Sequence, residues 1–236
     1  MSASAGGVAE RLAEVRERIA RAAERSGRDA SEIALLAVTK GQPVAAVREA
    51  AQAGQLLFGE NRVAEGARKA QTLAAERPGL IWRLIGPLQT NKARAALQYV
   101  AAVESLDRER LALRLEGLLA ETGRRLPVLI EINLAGEASK SGVAPADAEA
   151  LARACVALPH LDLRGVMAVP PYSEDPQESR PHFRALREVR ERLAARLGRP
   201  LPELSMGMSH DYEAAVEEGA TEVRIGTALF GARETA

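Results

Sequence analysis

Short apolar runs alternate with amphipathic stretches along most of this chain. Apolar residues that recur every three or four positions predict helices, and short apolar runs between turn signals predict buried strands. A first helix is predicted from about Val8 to Ser26, with Leu12, Val15 and Ile19 on one face. The strand candidates that follow are Ile33–Thr39, Leu56–Gly59, Ile81–Ile85, Tyr99–Glu104, Pro127–Asn133, Leu161–Val169, Leu204–Ser209 and Glu222–Gly226. Helical patterns separate them, near 43–53, 62–76, 90–97, 107–122, 145–157, 178–197 and 211–218.

This alternation predicts an α/β fold with a parallel sheet, because parallel neighbours need a long crossover connection. Eight such units within 236 residues match a (β/α)8 TIM barrel better than an open doubly wound sheet. We therefore expect a single barrel domain over residues 1–236 with an extra N-terminal helix. The active site of a TIM barrel lies at the carboxyl ends of its strands, so polar residues at those ends are the candidates for function.

Lys40 stands at the carboxyl end of the first predicted strand, directly before a Gly-Gln-Pro turn. An unprotonated lysine amine attacks carbonyl carbons, and burial in a barrel mouth favours that form by lowering the lysine pKa. The pattern thus predicts a covalent link to an aldehyde. The alternative is a solvated loop lysine or a partner of Glu60.

The last predicted strand ends in a second candidate, Arg224 to Thr227. Strand alternation points Arg224 into the barrel and directs Val223 and Ile225 towards the helices. Gly226 and Thr227 begin a short helical turn, whose amide groups would bind a phosphate. The alternative is a glycine that only ends the strand, with Arg224 paired to a carboxylate such as Glu222.

Ser209 and Asn61 lie at two further strand ends. Ser209 ends the seventh predicted strand and could add a hydroxyl to the same anion. Asn61 could orient a ligand hydroxyl, or it could cap the helix that follows.

Composition excludes several classes of function. Lysine plus arginine and aspartate plus glutamate both total 32, so no charge excess favours a nucleic-acid or membrane-surface partner. The single cysteine, Cys155, suits a reducing cytoplasm, and the three histidines lack metal-ligand spacing. No apolar run approaches the length of a membrane span, so we expect a cytoplasmic protein. We also expect no bound metal. A lone barrel is further expected to be a monomer.

Five motifs together resemble the pyridoxal phosphate homeostasis protein family. They are AVTK at 37–40, FGEN at 58–61, IGPLQ at 85–89, SMGMS at 205–209 and VRIGTALFG at 223–231. The resemblance implies the barrel of the alanine racemase N-terminal domain, with pyridoxal 5'-phosphate (PLP) held as a Schiff base on Lys40. It further implies that Arg224 faces the pyridine nitrogen, that Ser209, Gly226 and Thr227 bind the phosphate, and that Asn61 lies beside the ring. The chain departs from the family at Arg83-Leu84, where His-Phe is common.

The resemblance favours a PLP carrier over an enzyme. A guanidinium donates hydrogen bonds, so the ring nitrogen that faces it stays unprotonated and the ring is a poorer electron sink. The chain ends at Ala236, which predicts no second domain to supply a racemase acid–base group, and no tyrosine is predicted in its place. We expect a non-catalytic PLP homeostasis protein, with PLP-dependent apoenzymes as candidate recipients.

Two other functions stay open, a PLP-dependent amino-acid racemase and a cofactor-free Schiff-base aldolase. Lys140 is either a solvated loop lysine or a second anion contact.

Overall fold

A closed barrel of eight parallel strands forms the centre of the computed structural model, which describes residues 7–137 and 141–231. The strands follow one another around the barrel in chain order, and the last pairs with the first. They are β1 Ala34–Val38, β2 Leu57–Glu60, β3 Ile81–Leu84, β4 Ala102–Leu106, β5 Leu126–Glu131, β6 Leu161–Met167, β7 Glu203–Ser205 and β8 Glu222–Ile225. This topology confirms the predicted TIM barrel.

Helices cover the outside of the barrel. In the described residues they are α1 Val8–Arg25, α2 Val44–Gln52, α3 Val63–Ala74, α4 Ala93–Ala96, α5 Glu109–Ala120, α6 Ala148–Val156, α7 Arg180–Leu197, α8 Tyr212–Glu217 and α9 Thr227–Phe230. None of these helices has the length and apolar character needed to cross a membrane.

The outer core lies between the strands and the helices and consists mainly of Leu, Val, Ile and Ala. Val223 and Ile225 of β8 are fully buried in this layer, as strand alternation predicts. Helix α1 buries Leu12, Val15 and Ile19 at helical spacing and packs against α8, α9 and α2. The extra N-terminal helix therefore covers the side of the barrel where the chain closes.

Closure of the barrel brings the first and last strands together. Leu36 of β1 lies in register with Arg224 of β8, and Ala37 with Ile225. Because parallel neighbours end at the same edge of the sheet, the residues that follow β1 and β8 meet at the barrel mouth. Lys40 and the turn at Gly226 are thereby neighbours in space.

Two predicted strand boundaries are wrong by three residues or more, and the others differ from the structure by at most two. The fourth strand begins at Ala102 rather than Tyr99, because the Tyr99 and Val100 amides still donate to the helical Ala96 carbonyl. The seventh ends at Ser205 rather than Ser209, because Gly207 adopts a φ of 90° and turns the chain away. Ser209 is consequently a loop residue.

Strands β6 and β7 approach each other closely at Gly165. A Cβ there would lie 1.8 Å from the Glu203 carbonyl oxygen of β7, whereas a Cβ at Gly117 on α5 would meet nothing within 4 Å. We expect Gly165→Ala to cost on the order of 1–3 kcal/mol or more, and Gly117→Ala to stabilise the helix by up to about 1 kcal/mol. Urea denaturation midpoints would measure both, and equal midpoints would contradict the close approach.

Candidate functional site

Lys40 follows β1 in the turn at the barrel mouth, where it is partly buried. The Gly41 φ of 70° makes the turn that leads the chain away towards α2. Glu60, the alternative partner proposed from the sequence, is fully buried, and its Oε1 accepts hydrogen bonds from Thr39 Oγ1 at 2.6 Å and from Lys69 Nζ at 2.7 Å. The ion pair that the structure gives to Glu60 is thus with Lys69.

Lys69 is a fully buried lysine that contacts the backbone before Lys40 directly and the backbone after it through Glu65. Its Nζ donates to the Thr39 carbonyl at 2.5 Å and to Glu65 Oε1 at 2.7 Å, and the same Glu65 oxygen accepts from the Gly41 amide at 2.7 Å. Burial raises the pKa of Glu60 despite Lys69. Partial burial acts to raise the pKa of Glu65, but the hydrogen bonds from Lys69 and Gly41 outweigh burial and lower it.

Sequence reasoning missed Lys69. Two signals could have found it, namely the Glu65–Lys69 spacing of four residues and the position of Lys69 on the apolar face of α3, between Gly66 and Leu73.

Ser209 and the start of α9 form a small polar cradle, as predicted. Gly226 precedes the first helical residue, Thr227, which is exposed. The Gly226 and Ala228 amides each donate to Ser209 Oγ at 3.2 Å. Two amide donors and a hydroxyl therefore converge at one point, which is the donor set that an anion needs.

Neither a positive φ nor a crowded Cβ position accounts for the glycine at position 226. Its φ is −113°, and a Cβ there would make only ordinary contact with Val38, at 3.5 Å. The alternative that Gly226 serves merely to end the strand has no steric support in this structure.

Arg224 is buried and points into the barrel, as predicted from strand alternation. Its Nη1 donates to Ser205 Oγ at 2.7 Å and its Nη2 donates to the Ala168 carbonyl at 2.7 Å. The alternative pairing with Glu222 is wrong as a direct contact, because the Ser205 hydroxyl stands between the two side chains.

Arg83 also lies inside the barrel, and it was not among the residues proposed from the sequence. Its Nη1 contacts Glu203 Oε2 at 2.7 Å, Glu222 Oε2 at 3.1 Å and Glu104 Oε1 at 3.4 Å. The residue that departs from the common family pattern thus joins a charged cluster below Arg224.

Asn61 does not cap α3. The residue before that helix is Arg62, and no side chain caps its amides. Asn61 Oδ1 is buried without a hydrogen-bond partner in the part of the chain that the structure describes. An unpaired buried acceptor at a strand end is suited to a ligand.

Glu131 ends β5 and was not among the residues proposed from the sequence. It is in register with Met167, which is in register with Ser205, so its side chain faces the barrel interior. Burial and the Asp107 charge raise the pKa of Glu131 to about 7, although Arg224 acts in the opposite direction. Lys140, proposed as a second anion contact, lies outside the described residues.

Comparisons with known proteins were made by family model and by sequence. The model of the alanine racemase N-terminal domain matches residues 11–234. A pyridoxal phosphate homeostasis protein from Pseudomonas aeruginosa is 48% identical over 96% of this chain and 96% of its own length. One from Aquifex aeolicus is 44% identical over 95% of this chain and 98% of its own length.

The chain belongs to the pyridoxal phosphate homeostasis protein family. Among solved structures, PipY of Synechococcus elongatus with PLP bound is 37% identical, with a TM-score of 0.85 over 95% of this chain and 100% of that one. Alanine racemase from Corynebacterium glutamicum is 20% identical, with a TM-score of 0.66 over 94% of this chain and 62% of that one. This second likeness shows the shared fold alone.

Proposed function

We propose that this chain binds PLP at the barrel mouth and serves PLP homeostasis by holding the cofactor reversibly. The observation that carries the proposal is the pairing of β1 with β8, which sets Lys40 beside the Gly226–Thr227 turn. An amine beside a phosphate cradle matches a ligand that carries an aldehyde and a phosphate. PipY, a relative with the same fold, binds PLP.

The described residues fit this cofactor. The cradle at Ser209 supplies amide donors for a phosphate, and Asn61 Oδ1 is buried and unpaired among the described residues. When bound, PLP supplies an electrophilic aldehyde carbon. Lys40 Nζ would form a reversible covalent bond with that carbon as water is released. Arg224 would face the ring nitrogen, and Thr227 would bind the phosphate.

Arg224 supports retention over turnover, although it does not by itself forbid turnover. Its guanidinium stays protonated and can only donate, so it leaves a ring nitrogen unprotonated and limits carbanion stabilisation. We infer that residues 1–236 act as one cytoplasmic, monomeric binding domain. Apoenzymes that need PLP are the proposed recipients.

A second candidate function is an amino-acid racemase, which one observation favours. Glu131 faces the barrel interior with a pKa of about 7, a value that suits a general acid or base at neutral pH. Incubation of the loaded protein with L-alanine in D2O separates the two functions. Storage of the cofactor predicts no enzyme-dependent deuterium at Cα, whereas incorporation that Glu131→Gln abolishes would establish catalysis.

Thr227→Val tests the phosphate assignment, since valine keeps the shape of threonine and removes its hydroxyl. Loss of a hydrogen bond to a charged group costs about 1.5–3 kcal/mol, so we expect the Kd for PLP to rise roughly 10- to 150-fold. The affinity for pyridoxal, which lacks the phosphate, should stay unchanged. Equilibrium dialysis would measure both.

The matched control for this variant is Thr72→Val, at an exposed threonine on α3 whose hydroxyl donates to the Arg68 carbonyl. This control should retain PLP like the wild type. Equal retention by the Thr227 variant and the wild type would overturn the phosphate assignment.

A further inference from the structure

A polar cluster fills the barrel interior below Arg224, where TIM barrels usually pack branched apolar side chains. Glu104 of β4, Ser205 of β7 and Glu222 of β8 are all at least 98% buried. Arg83 of β3 reaches into the cluster from the opposite side. Buried carboxylates are costly unless charges and hydrogen bonds compensate them, so the hydrogen bonds of this cluster determine its charge.

The Ser205 hydroxyl makes three contacts. Its Oγ lies 2.7 Å from Arg224 Nη1, 2.7 Å from Glu104 Oε2 and 2.9 Å from Glu222 Oε1. A hydroxyl has one hydrogen to donate and two lone pairs that accept. Arg224 always donates, so it takes one lone pair, and the hydroxyl hydrogen serves one carboxylate. The remaining contact is a hydrogen bond only if the other carboxyl group carries a proton.

The arrangement of donors identifies the protonated group. Glu104 Oε1 accepts a hydrogen bond from Arg83 Nη1 at 3.4 Å, which suits a carboxylate. Glu222 Oε2 lies 3.1 Å from the same nitrogen but is not aligned for a hydrogen bond, and it has no other partner among the described residues. An unpaired buried oxygen costs less on a neutral acid than on an anion. Burial first, and then the charge of Glu104 and a hydrogen bond with its carboxyl group, raise the pKa of Glu222 well above its usual range, although Arg83 and Ser205 act in the opposite direction.

The charges that surround Glu222 agree with this assignment. Those on the described strands that face the cluster are Arg83, Glu104, Glu203 and Arg224, with Arg164 reaching Glu203 from the barrel rim and Glu131 of β5 interacting with the charge of Arg224. With Glu222 neutral, the two interior arginines balance Glu104 and Glu203.

We propose that Glu222 is a neutral carboxylic acid at neutral pH, and that its proton completes a hydrogen-bond chain through Ser205 that fixes Arg224. Glu222 Oε1 donates to Ser205 Oγ, and the Ser205 hydroxyl donates to the Glu104 carboxylate. Ser205 then offers Arg224 an acceptor of fixed direction. Glu104, Ser205 and Glu222 are therefore positioning residues for Arg224.

The pH dependence of stability tests, without any cofactor, whether the Glu104–Glu222 pair keeps one proton at neutral pH, which the geometry above assigns to Glu222. Glutamate in an unfolded chain has a pKa near 4.3, so between about pH 6 and 8 folding must take up the Glu222 proton. A raised folded-state pKa gives stability that is lost as the pH rises. The unfolding constant of the wild type should therefore rise with pH more steeply than that of Glu222→Gln. The ratio of the two constants should increase tenfold per pH unit. Other buried carboxyl groups, such as Glu60 and Glu131, contribute equally to both proteins and cancel.

Two further variants complete the experiment. Glu104→Gln should lose the same tenfold dependence, because its amide can serve Ser205 and lets Glu222 ionise beside Arg83. This second variant keeps the test decisive if Glu222→Gln does not fold. Glu76→Gln is the control, since Glu76 is an exposed carboxylate that bonds Arg48 outside the barrel, and it should keep the wild-type slope. The proposal would be overturned if the unfolding constants of the wild type, Glu222→Gln and Glu104→Gln changed with pH at the same slope.

The positioning of Arg224 rests on the proposed function and needs a separate measurement. Ser205→Ala removes the acceptor of Arg224 Nη1, so the visible absorption band of the PLP-loaded protein should shift while the affinity for inorganic phosphate stays unchanged. An unshifted band would refute the positioning role, even if the pH slopes confirm the proton. Failure of the wild type to take up PLP would refute the proposed function and leave the proton assignment intact.

Discussion

Lys40→Ala is expected to abolish covalent retention of PLP. Without the Lys40 amine, the residues of the cradle can still bind the phosphate, but no bond fixes the aldehyde carbon, so dialysis should remove the cofactor completely. The wild type should stay yellow after the same dialysis. Visible absorption spectra of the two dialysed proteins make the comparison.

Lys92→Ala is the matched control, because Lys92 is an exposed lysine on the loop between β3 and α4. This variant should retain PLP as the wild type does. A Lys40→Ala protein that stays yellow through dialysis would show that another amine holds the cofactor.

Lys69→Met is expected to give the largest loss of stability. Removal of one partner of a buried ion pair costs about 3–5 kcal/mol, because it leaves the other charge buried and uncompensated. Lys69 Nζ contacts Glu60 Oε1 and Glu65 Oε1 at 2.7 Å each, and both Lys69 and Glu60 are fully buried. Urea denaturation at pH 7 would measure the loss. Lys92→Met, at the exposed lysine, should change stability by less than about 0.5 kcal/mol.

The loss in Lys69→Met should depend on pH. In the wild type, burial raises the pKa of Glu60 and Lys69 opposes this rise. In Lys69→Met that opposition is lost, so the pKa of Glu60 rises further. A group with a raised folded-state pKa contributes fully below its unfolded pKa and loses that contribution as the pH rises. The difference between variant and wild type should therefore shrink towards pH 4, where the carboxyl group is neutral. A loss of less than about 1 kcal/mol at pH 7 would contradict the buried pair.

The fold was predictable because each βα unit carries its own periodicity. The exact ends of the strands could not be predicted, because they depend on turns and tertiary contacts that the local sequence pattern does not show. The left-handed Gly207 ends β7 early, and this turn brings Ser209 over the amides of α9. Ser209 therefore lies at the predicted cradle although it is not in a strand, and its binding of a phosphate stays a prediction.

The candidate site was predictable where one residue stands at one strand end, as Lys40 and Gly226 do. The polar networks were not, because their partners come from distant parts of the chain. Arg83 meets Glu203 across 120 residues, and Ser205 meets Glu104 across 101. Strand alternation alone could indicate that Arg83 faces inwards, but closure of the barrel decides which carboxyl groups it meets.

The central claim is that Lys40 holds the cofactor, and the chain contains only four lysines. The most direct measurement incubates the wild type with PLP, reduces it with borohydride to make the bond permanent, and maps the modified peptide by mass spectrometry. We expect one phosphopyridoxyl group, on the peptide that carries Lys40. Modification of Lys69, Lys92 or Lys140 instead, or no modification at all, would contradict it.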